Sequence, residues 1–259
     1  MLRVLSKLTR RTFISIPIPK PSAAMDYHIA QPSPDKIQVL PHNQYHSFDF
    51  LTPSTTSPSP IDQFKEWFTE VVNARVVPEP ETMCVSTCSP SGIPSSRFVL
   101  FKQLDARGFI FYTNYSSRKS QELLANPHAA LAFYWREVHR SVRVVGKVEK
   151  VSREESEAYF KSRPVGSQLG AWASRQSSVV GEGEVLSRLE KIKDRFGVEE
   201  GTTTDHGIIP TPEFWGGWRI VPFEVEFWSG KPSRLHDRVR YTRDRTDDGS
   251  EWKIERLAP

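Results

Sequence analysis

Met83-Cys84-Val85-Ser86-Thr87-Cys88, Ser89-Pro90-Ser91-Gly92-Ile93-Pro94 and Ser95-Ser96-Arg97-Phe98-Val99-Leu100-Phe101 form one continuous stretch, two apolar segments around a Pro-Ser-Gly turn. Residues 83–88 and 96–101 therefore predict the two strands of a hairpin. Downstream, residues 108–113, 129–135 and 142–151 are rich in aromatic and β-branched side chains and predict further strands. So do residues 218–221, 224–228, 238–242 and 252–254. Helices are fewer. Asp62 is placed to cap one that carries Phe64, Trp67, Phe68, Val71 and Val72 on one side. Residues 154–161 and 184–196 predict two more. Many short strands with few helices imply a mainly β chain with flanking helices (α+β), its sheet closed or half-closed into an antiparallel barrel.

The chain has 259 residues, 37% hydrophobic and 25% charged, the balance of a globular protein with a tail attached. No apolar run approaches the roughly 20 residues of a membrane-spanning helix, so no membrane partner is expected. The formal net charge of +4 is concentrated, because Arg3, Lys7, Arg10, Arg11 and Lys20 precede Asp26 with no acid among them. Without those five the remainder stands at −1, which argues against a general nucleic-acid surface. Cys84 and Cys88, four apart on one strand, face the same side at a spacing unsuited to a disulfide. They read as two small buried hydrophobes, and so few thiols point to a reducing compartment. The seven histidines show no metal-ligand spacing, and no metal is expected.

Residues 1–24 lack acids, are rich in Arg, Lys, Ser and Thr, and place Leu2, Val4, Leu5, Leu8 and Ile14 at partly helical spacing. They read either as a mitochondrial transit peptide or as an unstructured tail ahead of a second start at Met25, giving a mitochondrial or a cytoplasmic location. Residues 25–60, with recurring Pro and Ser, predict an extended linker, and residues 61–259 the ordered domain.

Four runs could carry chemistry. Asn114, Tyr115, Ser116, Ser117, Arg118 and Lys119 lie between a strand and a helical run to Leu124. A serine cap there would leave free N–H groups and two cations beside the positive end of a helix, a place for a phosphate; the plainer reading is an exposed basic helix start. Arg97 and Lys102 bracket four apolar residues and, five apart on a regular strand, would point to opposite faces and serve different anions unless a bulge turns one of them; the plainer reading is two solvated strand-end cations. Tyr159 and Arg163 share one face at the end of a helix that Pro164 stops, with Ser167 in reach, so that phenol, guanidinium and hydroxyl can all donate to a phosphate. Trp228 is followed by Arg234, Leu235, His236, Asp237 and Arg238, either a ligand-facing run or a surface loop paired through Asp237.

In order along the chain, several motifs resemble the pyridoxamine (pyridoxine) 5′-phosphate oxidase family. They are Arg97 to Lys102, Tyr112-Thr113 with Ser117-Arg118-Lys119, and Tyr159-Phe160-Lys161-Ser162-Arg163-Pro164 with Ser167. Gly170-Ala171-Trp172, Gln176-Ser177-Ser178, Trp215-Gly216-Gly217, Glu226-Phe227-Trp228 and Arg234-Leu235-His236-Asp237-Arg238 continue it to the terminal residues 252–259. The resemblance covers residues 61–259 and implies an FMN-binding split β-barrel, a homodimer with two FMN at its interface. By position it puts FMN contacts on Arg97, Phe98, Val99, Leu100, Tyr112, Thr113, Arg118, Lys119, Gln176, Ser177, Trp228 and Arg238. Substrate contacts fall on Lys102, Tyr159, Arg163, Ser167, Arg234 and His236.

The implied reaction oxidises pyridoxamine 5′-phosphate or pyridoxine 5′-phosphate to pyridoxal 5′-phosphate, by hydride transfer from substrate C4′ to flavin N5. Molecular oxygen then reoxidises the flavin and gives hydrogen peroxide. The protein's part is to hold the reacting atoms together, with Arg234 and His236 orienting the pyridine ring and no side chain required as a base. A flavin-binding split barrel without this activity is the competing reading. Two departures from the family pattern stand out. Ser141, between Arg140 and Val142, occupies a place where the family usually has Gln, and residues 197–212 read as a surface-loop insertion.

Overall fold

The computed structural model describes residues 44, 45, 47, 50–199, 209–247 and 249–259. The leader at residues 1–24 and most of the expected linker lie outside the described residues. The part of the linker that is described belongs to the body, since the compact unit begins at Gln44 rather than near Ile61. Leu51 is buried, and the Tyr241 hydroxyl donates to the Ser57 carbonyl at 2.7 Å. Serines and prolines there make turns and a cap instead of a free tether. Ser59 caps helix α1 (Pro60–Ala74) by accepting from the Asp62 N–H, with Pro60 in the first turn. Asp62 is therefore inside the helix, one turn later than the sequence reading placed it.

Helix α1 buries Phe64, Trp67 and Val71 in a sheet of β1 (Thr82–Cys88), β2 (Pro94–Leu100), β3 (Gln103–Leu104), β4 (Phe109–Asn114), β5 (His128–Trp135), β6 (Arg140–Lys150), β7 (Trp215–Ser229), β8 (Asp237–Thr242) and β9 (Lys253–Arg256). Among the described residues these nine strands are antiparallel, in the order β2-β1-β5-β6-β7-β4-β3, with β8 on β7 and β9 on β8. Alternation decides the core. Met83 and Val85 from β1, Leu131, Phe133 and Trp135 from β5, and Val142 and Val144 from β6 all turn inward onto Phe64, Phe101 and Phe109. Each large side chain so buried contributes about 1.5–3 kcal/mol. The residues between them face outward, and Cys84 and Cys88 are among these, half-buried and free, not buried as expected.

The sequence reading split residues 218–228 into two strands, whereas β7 is continuous. On one side it pairs with β4 as far as Ile220 and then with β8 from Glu224. Pro222 falls between the two ladders, where a missing N–H costs nothing. On the other side the register with β6 shifts between Val145 and Gly146, and a Cβ on Gly146 would come within 2.3 Å of the Val221 carbonyl oxygen. Only glycine lets the two backbones close at this bulge, which bends the sheet.

Helices α2 (Arg118–Ala125), α3 (Arg153–Lys161), α4 (Val165–Ala173) and α5 (Glu184–Phe196) flank the sheet. Among the described residues no helix is long and apolar enough to cross a membrane. Helix α4 was not foreseen. It packs Val165 and Leu169 with Phe160, Ile209 and Trp215 into a second small core, so the described end of the 197–212 insertion is partly buried rather than a mere surface loop. At the other end of the chain, Asp237 accepts from the Leu51 N–H at 3.3 Å and pairs with Lys231 at 3.5 Å and Arg256 at 2.8 Å.

Candidate active site

A cavity of about 910 Å³ opens between β2, β4, the start of α2 and the α3–α4 corner. Arg97, Phe98, Val99, Leu100 and Lys102 line one wall, with Tyr112, Thr113, Arg118 and Lys119 beside them. Tyr159, Arg163, Ser167, Gln176 and Ser177 close it. Strand β2 ends at Leu100, and the Lys102 N–H already donates to Ile110 in the turn toward β4. The expectation that Arg97 and Lys102 face opposite ways assumed one regular strand. That premise fails, and both side chains line this one cavity.

Ser117 stands at the N-cap of α2 in extended conformation, but its side chain makes no capping bond. It is buried, and its hydroxyl donates to Ser120 at 3.4 Å. The helix N-terminus is thus not closed by its own side chain. Beside it the Lys119 ammonium donates to Gln176 at 2.8 Å, to Thr113 at 3.1 Å and to Ser117 at 3.4 Å. Burial, aided by the charge of Arg97, lowers the Lys119 pKa to about 8. Arg97 is held by Thr87 at 2.5 Å and by Ser95 at 2.7 Å. Ser177 has φ +73°, a left-handed conformation uncommon outside glycine, at the cavity wall.

The α3–α4 corner supplies a second polar cluster. The rings of Tyr159 and Tyr112 stack at 4.0 Å, Tyr112 lies 5.4 Å from Trp215, and the Arg163 guanidinium sits 4.8 Å above Trp215. Gly217 makes room for this stack, because a Cβ there would lie 2.9 Å from the Tyr112 ring. Burial pushes the Tyr112 and Tyr159 hydroxyls up, so both are donors at neutral pH. Burial also pulls Arg163 down, against the Tyr159 phenol. One of its terminal nitrogens, Nη1, is buried without a hydrogen-bond partner. A buried charged donor left unpaired is costly, and here the face of the Trp215 ring beneath the guanidinium offsets part of that cost.

Trp228 and Arg238 are not in this cavity. With Ser141, Tyr45, Tyr134, Arg143 and Glu226 they line a smaller one of about 380 Å³. The His236 ring lies 4.7 Å from Trp228, and burial, with Arg234 and Arg238 nearby, lowers its pKa. Arg234 ends a tight turn in which Ser233 and Arg234 both have positive φ, 56° and 63°. Arg238 donates to Glu226 at 2.7 Å, and Arg143 reaches the same carboxylate at 3.0 Å. The sequence reading missed Glu226 as a partner, along with Tyr45, Arg143, Thr87 and Glu122. Only Glu122 left a local signal, its spacing of four from Arg118.

Residues 68–190 match the family described as "Pyridoxamine 5′-phosphate oxidase", and residues 215–259 match "Pyridoxine 5′-phosphate oxidase C-terminal dimerisation region". A pyridoxine/pyridoxamine 5′-phosphate oxidase of Burkholderia mallei is 52% identical over 81% of this chain and 93% of its own. The chain belongs to the pyridoxamine 5′-phosphate oxidase family. A relative with the same name in Bordetella petrii is 50% identical over 81% of this chain and 93% of its own. Among solved structures, PhzG of Burkholderia lata, in complex with tetrahydrophenazine-1-carboxylic acid, is 31% identical with a TM-score of 0.71, covering 82% of this chain and 98% of its own. A pyridoxamine 5′-phosphate oxidase-related, FMN-binding protein of Nostoc punctiforme is 16% identical with a TM-score of 0.60, covering 78% of this chain and 98% of its own. The fold is that of the FMN-binding split barrels, and the family is one of oxidoreductases. Because PhzG is among these relatives, family membership alone leaves the substrate to the site.

Proposed function

We propose that the chain is an FMN-dependent oxidase that converts pyridoxamine 5′-phosphate and pyridoxine 5′-phosphate to pyridoxal 5′-phosphate, with O2 as oxidant and hydrogen peroxide as second product. The supporting observation is the larger cavity, whose lining carries two clusters of cationic and hydroxyl donors, Arg97 with Arg118 and Lys119, and Lys102 with Tyr159, Arg163 and Ser167. The donor set fits the cofactor. Arg97, Arg118 and Lys119 at the open N-terminus of α2 would hold the FMN phosphate, and Gln176, Thr113 and the backbone of residues 98–100 would lie along the ring system. FMN, when bound, supplies the two-electron acceptor that oxygen restores.

The chain's own residues then bind and orient. Lys102, Tyr159, Arg163 and Ser167 hold the substrate phosphate with one planar fork, one ammonium and two hydroxyls, all donors at neutral pH. Arg234 and His236, beside Trp228, hold the pyridine ring. In one chain this pair lies outside the larger cavity, so we read the complete site as shared between two copies, a homodimer joined through the C-terminal region. Residues 1–24 would serve as a mitochondrial leader or be bypassed from Met25.

The experiment is an anaerobic titration. Purified chain should be yellow, and each phosphorylated vitamer should bleach the flavin absorbance, with unphosphorylated pyridoxine failing to saturate. A yellow protein that neither vitamer bleaches would be a flavin-binding barrel without this activity. Equal bleaching by phosphorylated and unphosphorylated forms would remove the second phosphate grip.

A further inference from the structure

We propose that Glu122 is a positioning residue, whose carboxylate ties Arg97 of β2 to Arg118 of α2 and holds the two guanidiniums as one preset cradle for a terminal phosphate. The proposal rests on the FMN reading above and adds to it a residue that contacts no ligand.

Glu122 lies one turn along α2 from Arg118, so the two share a helix face. Its Oε1 accepts from Arg118 Nε at 2.9 Å. Its Oε2 accepts from Arg97 Nη2 at 3.3 Å, from Ser95 at 2.7 Å and from the Thr87 hydroxyl. The carboxylate is buried, 6% exposed, whereas the Arg118 side chain above it is 61% exposed. Among the described residues Glu122 is the one hydrogen-bond partner of Arg118. Without it so exposed a side chain would sample many rotamers, and that freedom would be lost each time a phosphate bound.

Only a carboxylate can do this, because it accepts on both oxygens, whereas an amide must turn an N–H₂ toward one guanidinium. Burial opposes its ionisation, but hydrogen bonds from Thr87, Ser95 and Arg118 hold its pKa down to about 2, so it stays charged at any working pH. Arg97, Arg118 and Lys119 against one carboxylate leave two net positive charges, matching a phosphomonoester of charge about −2. The carboxylate also repels that phosphate. The two guanidiniums bonded to it offset that charge, and because the carboxylate is buried, added salt weakens its repulsion only in part.

The test uses the flavin-stripped full chain, titrated with FMN and with riboflavin by fluorescence quenching, in about 0.15 M and about 1 M NaCl. Glu122→Gln should weaken FMN about tenfold at both salt concentrations and leave riboflavin within twofold, with an unchanged melting temperature before flavin is added. Glu122→Asp keeps the charge but is one methylene short of spanning both arginines, so it should show a smaller loss, also confined to FMN. If Glu122→Gln does not fold, the Glu122→Asp result decides. Unchanged or tighter FMN binding overturns the proposal and makes Glu122 an opposing charge. Equal losses for FMN and riboflavin overturn it in favour of packing alone. A wild-type chain that binds neither flavin sinks the functional reading first, and this inference with it.

Discussion

Around the larger cavity Arg163 keeps a buried guanidinium nitrogen unpaired and Lys119 is held only by neutral oxygens, whereas around Trp228 the cations lining the smaller cavity are answered by acids. Glu226 takes both Arg143 and Arg238, and burial notwithstanding, those two arginines hold its pKa below the usual carboxylate range. One region therefore stores unspent positive charge. The other has neutralised most of its own and presents ring faces instead, with Tyr45 edge-on to Trp228 at 5.3 Å and His236 at 4.7 Å from it. The difference separates two tasks, gripping anions and aligning a planar ring, and it predicts different kinetic signatures for lesions on the two sides.

The largest effect should come from the unspent side. Arg163→Ala should raise KM for a phosphorylated substrate about a hundredfold with little change in kcat, since charge-assisted bonds to the phosphate are made equally in ground and transition states. Steady-state kinetics check this, and an unchanged KM breaks the contrast. Arg234→Ala, on the ring-aligning side, should show the opposite pattern, a kcat lowered about thirtyfold, or ~2 kcal/mol on the barrier, with a smaller change in KM. Wild-type turnover would remove Arg234 from the site.

A subtler effect is expected from pH. Lys119, brought down to about 8 by burial and by Arg97, is an ammonium in the empty site below that pH and loses its proton above it. A bound phosphate favours the ammonium and raises the pKa. FMN affinity should therefore be level from about pH 7 to 8 and fall by up to tenfold per unit above, a limb that Lys119→Met should lack in fluorescence titrations. The smallest effect should be Arg256→Gln. Its partner Asp237 is buried, but the arginine side chain is 58% exposed, so the pair is worth about 1 kcal/mol or less and the melting temperature should move by only a few degrees.

Much of the barrel was legible because its signals are local. Alternation at Met83, Val85 and Thr87 and at Leu131, Phe133 and Trp135 marks one face without any knowledge of the partner strand. What failed depended on neighbours remote in sequence. Pro222 looked like the end of a strand because nothing near it says that β4 stops and β8 starts at that point. Helix α4 carries two glycines, Gly166 and Gly170, which disfavour a helix locally, and its stability comes from packing on Trp215 and Ile209. In the site, Arg97, Arg118, Lys119, Tyr159 and Arg163 could be picked out by charge and spacing. Their meeting in one cavity could not, because it depends on where β2 breaks after Leu100 and on how the helix corners fold back over the sheet. Glu226 and Arg143 escaped notice because their partnership with Arg238 runs across three strands.

Asp237 serves residues 51 and 256 with a single carboxylate. The beginning and the end of the folded body are consequently anchored at one point, close to where Tyr45 leans on Trp228. A fusion or trimming at Pro259 is then not a remote, silent alteration. Loosening β9 would take the Arg256 contact from the same carboxylate that accepts from the Leu51 N–H, so the two ends of the body share one partner.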